Sequence, residues 1–198
     1  SDTFNRRNQG VSTDESIAMV AEVSAKARPD IKVGVTIAAS FGCPFEGEVP
    51  LERVQAVVEA VAPHADELSL ADTIGVATPR DVTERIGAVR GTLPDMPIRL
   101  HLHNTRGTGL ANAWAGIEAG ITALDASLGG VGGCPFAPRA TGNIATEDLV
   151  YMLERAGIAT DVDLDAAIET AQWLEEQLGI RAPGQVMRAG GFPAPMAA

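Results

Sequence analysis

Cysteine is scarce in this 198-residue chain: there are two, Cys43 and Cys134. Two thiols in separate Gly/Pro-rich loops cannot build a disulfide framework, so a reducing, cytoplasmic setting is expected and the cysteines need another explanation. Aromatic residues are few, at 4% of the chain, and only three histidines occur. Basic residues are also in the minority, with 15 Lys and Arg against 26 Asp and Glu and no basic block. A net charge of −11 without a basic face argues against a nucleic-acid footprint and favours a small-molecule or protein partner. No apolar run approaches the ~18 residues of a membrane span, and the polar opening SDTFNRRNQG lacks the apolar core of a signal peptide. What is present is aliphatic: 45% apolar residues, with 21 Gly and 12 Pro marking frequent turns. That is material for a packed core and not for a disordered chain.

Between Ser12 and Leu178 the pattern alternates between periods of 3.6 and 2. Ser12 with Glu15 three residues on reads as a capping box for a helix to about Ala27, carrying Ile17, Val20 and Val23 on one face. The stretch before it reads as a loop. IKVGVTIAA, residues 31–39, reads as a strand, followed by a helix over about Pro50 to Ala62. The alternation repeats with a strand over Glu67–Leu70 and a helix opened by Thr78–Pro79. A strand over Ile98–His103 and a helix through Leu110, Trp114 and Ile117 come next. Ile121–Ala126 then leads through a long Gly-rich loop to a helix around Glu147–Arg155, and a last helix covers about Leu164 to Leu178.

Strict β/α alternation with strands that lack a polar face over much of their length predicts an α/β fold with a parallel sheet. A doubly wound sheet and a (β/α)8 barrel compete. No G-x-G-x-x-G follows a strand, and the Gly-rich, polar and Cys-bearing loops all follow strands, which favours the TIM barrel. Four βα units, however, are half of what a barrel needs. The domain reading is a barrel portion over residues 1–180 and a C-terminal tail over 181–198, to which no role is assigned.

His101-Leu102-His103 ends a predicted strand, so at period 2 both rings share one face and are spaced for one metal ion. Two hydrogen-bonded histidines at a strand end are the ordinary alternative. Asn143, between the long loop and a helix, is an N-cap candidate or, through its amide oxygen, a neutral ligand suited to Mg2+ or Mn2+. Asp72 in LADTIG is a ligand, an orienter of one, or a turn residue. Cys134, in GGVGGCP, sits on a loop able to close over a barrel mouth, where a thiol can handle a proton once water is excluded. Cys43, in a similar GCPF, is not separated from it by composition, and a buried inert thiol is the commoner case for either.

The runs DASLGGVGGCPFAPRATGNIATEDLVYMLE, HLHNTRG, LADTIGVATP, GCPFEGEV and SDTFNRRN together resemble the hydroxymethylglutaryl-CoA lyase family of metal-dependent TIM-barrel lyases and synthases. The resemblance spans about Ser1 to Asp161. It implies Mg2+ or Mn2+ held by His101, His103 and Asn143, with Cys134 and His101 as catalytic residues. Asp72 and Glu147 match substrate-binding or supporting positions. It also implies a retro-Claisen cleavage of 3-hydroxy-3-methylglutaryl-CoA to acetyl-CoA and acetoacetate and an acyl-CoA substrate, while the unpaired sheet edges of a half barrel would invite a homodimer. A related Claisen-type synthase or aldolase-like lyase is the nearest alternative. The family's strand-1 Arg and Asp have no counterpart here, and Arg6 and Arg7 do not replace them. By this resemblance the four strands would be the fifth to eighth, making the chain the C-terminal half of a barrel. Such a portion alone is expected to bind Mn2+ weakly and to have negligible activity.

Overall fold

The computed structural model describes residues 1–133 and 142–193. Backbone contacts group them into two compact units: one over Ser1–Asp125 with Gly133, the other over Ala126–Gly132 with residues 142–193.

The first unit opens with α1 (Asp2–Gln9) and α2 (Thr13–Lys26) and continues β1 (Gly34–Ile37), α3 (Leu51–Val61), β2 (Glu67–Asp72), α4 (Pro79–Thr92), β3 (Ile98–Leu102), α5 (Gly109–Glu118) and β4 (Ala123–Asp125). The expected capping box of α2 is present, with the Ser12 hydroxyl accepting from the Glu15 N–H and the Glu15 carboxylate accepting from the Ser12 N–H. Thr78 and Asp81 make a second capping box at α4. The opening segment is a helix and not the expected loop. Ser1 caps it by accepting from the Phe4 N–H, Phe4 is its one buried residue, and Gly10 ends it in the left-handed region. Arg6 and Arg7 therefore stand on a helix, where Arg6 pairs with Asp2 one turn earlier at 2.8 Å. The apolar stripe of α2 is only partly covered: Met19 and Val23 are exposed.

The four strands are parallel and ordered β1-β2-β3-β4, in register through Ile37↔Leu70, Leu70↔Leu100 and His101↔Asp125. Sequential order decides between the two architectures. A doubly wound sheet reverses its strand order and places helices on both faces, whereas right-handed crossovers in sequential order put every helix on one face, as in a (β/α)8 barrel. Consistently, α2, α3, α4 and α5 pack each against the next. Leu68, Leu70, Ile98, Leu100 and Leu102, all fully buried, line the face of the sheet that shares their parity. The opposite parity carries Thr36, Glu67, Ser69, Arg99, His101 and Asp125.

The described residues hold four strands in an open sheet, β1–β4 in the order of this chain, and nothing in them counts those strands as the fifth to eighth of a barrel.

The second unit comprises a short turn of 3-10 helix over Leu128–Gly130, α6 (Thr146–Arg155), α7 (Leu164–Leu178) and α8 (Val186–Ala189). Ala171, Ala182 and Met187 form its small apolar cluster, against which Leu128 and Val131 pack. Part of the segment expected as an unassigned tail, residues 182–189, is thus built into this unit.

Candidate functional site

In the first unit the period-2 argument for the histidines holds. Their ring centroids are 5.3 Å apart, with the planes inclined by 68°. His103 is 4% exposed and, among the described residues, its Nδ1 has no hydrogen-bond partner. Burial, followed by the nearby His101, lowers its pKa to about 4, so the ring is neutral at physiological pH and keeps a lone pair to offer. His101 is more open. Its Nδ1 lies 3.6 Å from Asp125 Oδ2, directly across the ladder on β4.

Asp125 belongs to a chain of charges that sequence reasoning missed. Arg99 places Nη1 2.7 Å from Asp125 Oδ1 and Nε 2.8 Å from Glu67 Oε1, and these two carboxylates hold its guanidinium pKa above the usual arginine range. Arg99 was legible, since it precedes His101 by two residues and shares its face. Its partners were not, because they lie on two other strands and meet it only through register.

Asp72 is fully buried but has the parity of Leu68 and Leu70, opposite to that of His101. Its carboxylate accepts from the Val76 N–H (2.9 Å) and the Ala77 N–H (3.0 Å), and burial nonetheless raises its pKa. The carboxylate thus fastens the N–H groups of the loop that follows its strand. The same loop is tied down by Asn112 of α5, whose Nδ2 donates to the Ala77 carbonyl at 2.8 Å. Cys43 is buried, and its sulfur accepts from the Ser1 hydroxyl (2.8 Å) and from the Phe45 and Glu46 N–H groups (3.4 Å each). It is held as a loop fastener. Cys134 lies outside the described residues.

In the second unit, α6 begins at Thr146 with Ala145 at its N-cap, so Asn143 does not cap it. Asn143 instead donates through Nδ2 to Ser127 Oγ (3.3 Å) and to the Val131 carbonyl (3.2 Å), leaving Oδ1 buried without a partner among the described residues. Gly132 and Gly142 allow this approach: both have positive φ, and a Cβ would overlap Asn143 Nδ2 at the first and the Gly130 carbonyl at the second. Glu147, on the first turn of α6, is fully buried. Its Oε2 accepts from the Gly129 N–H at 3.0 Å, Oε1 has no partner among the described residues, and burial raises its pKa.

A strand-end histidine pair and a carboxamide whose oxygen is left free are the features to set against known proteins. Residues 1–174 match the family model described as HMGL-like. The chain belongs to the HMGL-like family. It is 47% identical over 192 residues to the (R)-citramalyl-CoA lyase of Chloroflexus aurantiacus, covering 96% of this chain and 61% of that protein. To the hydroxymethylglutaryl-CoA lyase of Bacillus subtilis it is 43% identical over 187 residues, covering 93% and 62%. Among solved structures, an HMG-CoA lyase from Acinetobacter baumannii in complex with coenzyme A and 3-methylmalate superposes with a TM-score of 0.90 at 41% identity, over 98% of this chain and 66% of that one. The HMGL-like chain therefore spans somewhat less than two thirds of each of these relatives.

Among the described residues no three His, Cys, Asp or Glu side chains cluster into a metal site. The donors implied for the family nevertheless suit a divalent cation. In the first unit His103 is neutral with a ring nitrogen that has no partner among the described residues; in the second, Asn143 has both its amide hydrogens committed and its oxygen without a described partner. A neutral imidazole and an amide oxygen are each donor types that Mg2+ or Mn2+ accepts. No helix of the described residues is long and apolar enough to cross a membrane.

Proposed function

We propose that this chain is part of a divalent-metal-dependent carbon–carbon lyase that cleaves 3-hydroxy-3-methylglutaryl-CoA to acetyl-CoA and acetoacetate. The observation that carries the reading is that, in a chain of the HMGL-like family, His103 Nδ1 in one unit and Asn143 Oδ1 in the other are each buried without a partner among the described residues. His101, His103 and Asn143 would hold Mg2+ or Mn2+, which when bound supplies Lewis acidity to the substrate's tertiary hydroxyl and carboxylate and lowers the hydroxyl's pKa.

The chain's own groups then have distinct tasks. His103, neutral through burial, offers a lone pair without first losing a proton. His101 is the more exposed ring; with Asp125 beside its Nδ1, its other nitrogen is the one left for the metal, so in this reading the hydroxyl proton goes to a base other than this ring. Loss of that proton lets the oxygen form a carbonyl as the adjacent C–C bond breaks, leaving the electron pair on the acetyl-CoA fragment as an enolate. In this reading Cys134 delivers a proton to the enolate carbon before the fragments recombine. Asp72 and Glu147 shape the loops that carry these groups through their bonds to backbone N–H groups.

A second substrate is favoured by a specific observation, the 47% identity to a citramalyl-CoA lyase. Both acyl-CoAs carry a tertiary hydroxyl and a free carboxylate. The test is acetyl-CoA release, followed by liquid chromatography, from each thioester with Mn2+ present, using the protein extended to its natural length. The reading expects cleavage of 3-hydroxy-3-methylglutaryl-CoA with loss of at least 100-fold in kcat on His101→Ala. Turnover of citramalyl-CoA alone would replace the substrate, and unchanged turnover in His101→Ala would remove the mechanism.

A further inference from the structure

The Gly129 peptide is gripped from two directions. Its N–H donates to Glu147 Oε2, and its carbonyl accepts from the Gly184 N–H, each at 3.0 Å. Gly184 has ordinary backbone angles, so conformation does not demand glycine there. Space does: a Cβ at Gly184 would overlap Glu147 Oε1 and would stand 3.2 Å from Met187 Sδ and 3.3 Å from Gly129 Cα. Beyond Gly184 the chain is anchored by Asp148, whose carboxylate accepts from the Gln185 N–H (3.0 Å) and the Val186 N–H (2.6 Å). Ala182 and Met187 pack under Leu128 and Val131.

The other side of the same turn holds Asn143. The Val131 carbonyl accepts from Ser127 Oγ at 2.6 Å and from Asn143 Nδ2 at 3.2 Å, and Ser127 Oγ takes the second contact from Nδ2 at 3.3 Å. With both its donor contacts made to Ser127 and Val131, the carboxamide has no freedom left, and the direction of Oδ1 follows the position of that turn.

We propose that Glu147 and Gly184 are positioning residues for Asn143, with the C-terminal segment 182–187 clamping the Ser127–Val131 turn so that Asn143 Oδ1 is held free for a ligand. The role in metal binding rests on the reading of Asn143 given above. Partners that orient a metal ligand change metal affinity by roughly 10–100-fold when removed.

The test uses the full-length protein, with Mn2+ alone as the probe. Gly184→Ala and Glu147→Ala should each speed exchange of the Gly129 amide at least tenfold, shift the Asn143 side-chain NH2 resonances and weaken Mn2+ binding about tenfold. Amide protection in β2 and β3 should be unchanged. Glu147→Gln, which keeps an oxygen for the Gly129 N–H, should restore all three readouts to within about threefold of the parent chain. Unmoved Gly129 and Asn143 signals in both Gly184→Ala and Glu147→Ala would overturn the clamp. Asn143→Ala separates this failure from that of the metal reading. If it binds Mn2+ as the parent does, Asn143 is not a ligand; if it weakens Mn2+ while Gly184→Ala does not, the clamp is overturned and the ligand stands.

Discussion

Replacing His103 by Gln should remove a component of acid sensitivity that can be worked out from the folded ring. His103 is 4% exposed, its Nδ1 has no partner among the described residues, a second imidazole lies 5.3 Å away, and its pKa falls from 6.5 to about 4. A folded pKa below the unfolded one means that the unfolded chain binds the proton more tightly, so stability is lost as pH falls from 6.5 towards 4. Integrating the proton linkage between these pKa values, the loss from pH 7.5 is about 2 kcal/mol at pH 5 and about 3 kcal/mol at pH 4. Asp72 and Glu147 act in the opposite sense, because their raised pKa values let the folded state bind protons more tightly on acidification. The wild-type curve alone therefore mixes these effects, and the difference between wild type and His103→Gln isolates the ring. Urea unfolding of the metal-free chain at pH 7.5, 6, 5 and 4 measures it. Wild type should lose about 2 kcal/mol more than the variant between pH 7.5 and 5. Parallel pH profiles would refute the argument that burial keeps His103 neutral.

Arg85→Met should cost about 2–5 kcal/mol in urea unfolding, because Arg85 is 7% exposed and donates to the buried carbonyls of Ser40 (2.7 Å) and Val49 (3.0 Å), which would lose their partners. Leu100→Ala, at a fully buried position where β3 meets Gly116 of α5, should cost about 3–5 kcal/mol by the same measurement. Arg99→Met should cost under about 1 kcal/mol, since its pairs with Glu67 and Asp125 are about a third exposed. That cost should shrink further in 1 M salt, read as the change in urea midpoint at low and high ionic strength.

Local rules alone determined much of this protein. The order of strands and helices follows from the switch between periods of 2 and 3.6. The starts of α2 and α4 follow from Ser12 with Glu15 and Thr78 with Pro79, because a cap needs only residues within one turn. That His101 and His103 share a face follows from strand geometry and needs no partner strand. The helix α1 escaped because DTFNRRNQ buries only Phe4, and its cap is the first residue of the chain.

Everything that depends on residues distant in sequence was decided by the tertiary structure. Parity set Asp72 on the side opposite His101, while register brought Glu67, Arg99 and Asp125 together from three strands. Asn143 looked like an N-cap because local sequence cannot show that α6 starts three residues later and that Ser127 and Val131 take its amide hydrogens. Gly184, in a segment without any pattern, acquired its meaning only when folding placed it against Glu147. The physical reason is the same in each case: caps and periods are set within a turn or two of chain, whereas burial and hydrogen-bond partners are set by which segments pack together.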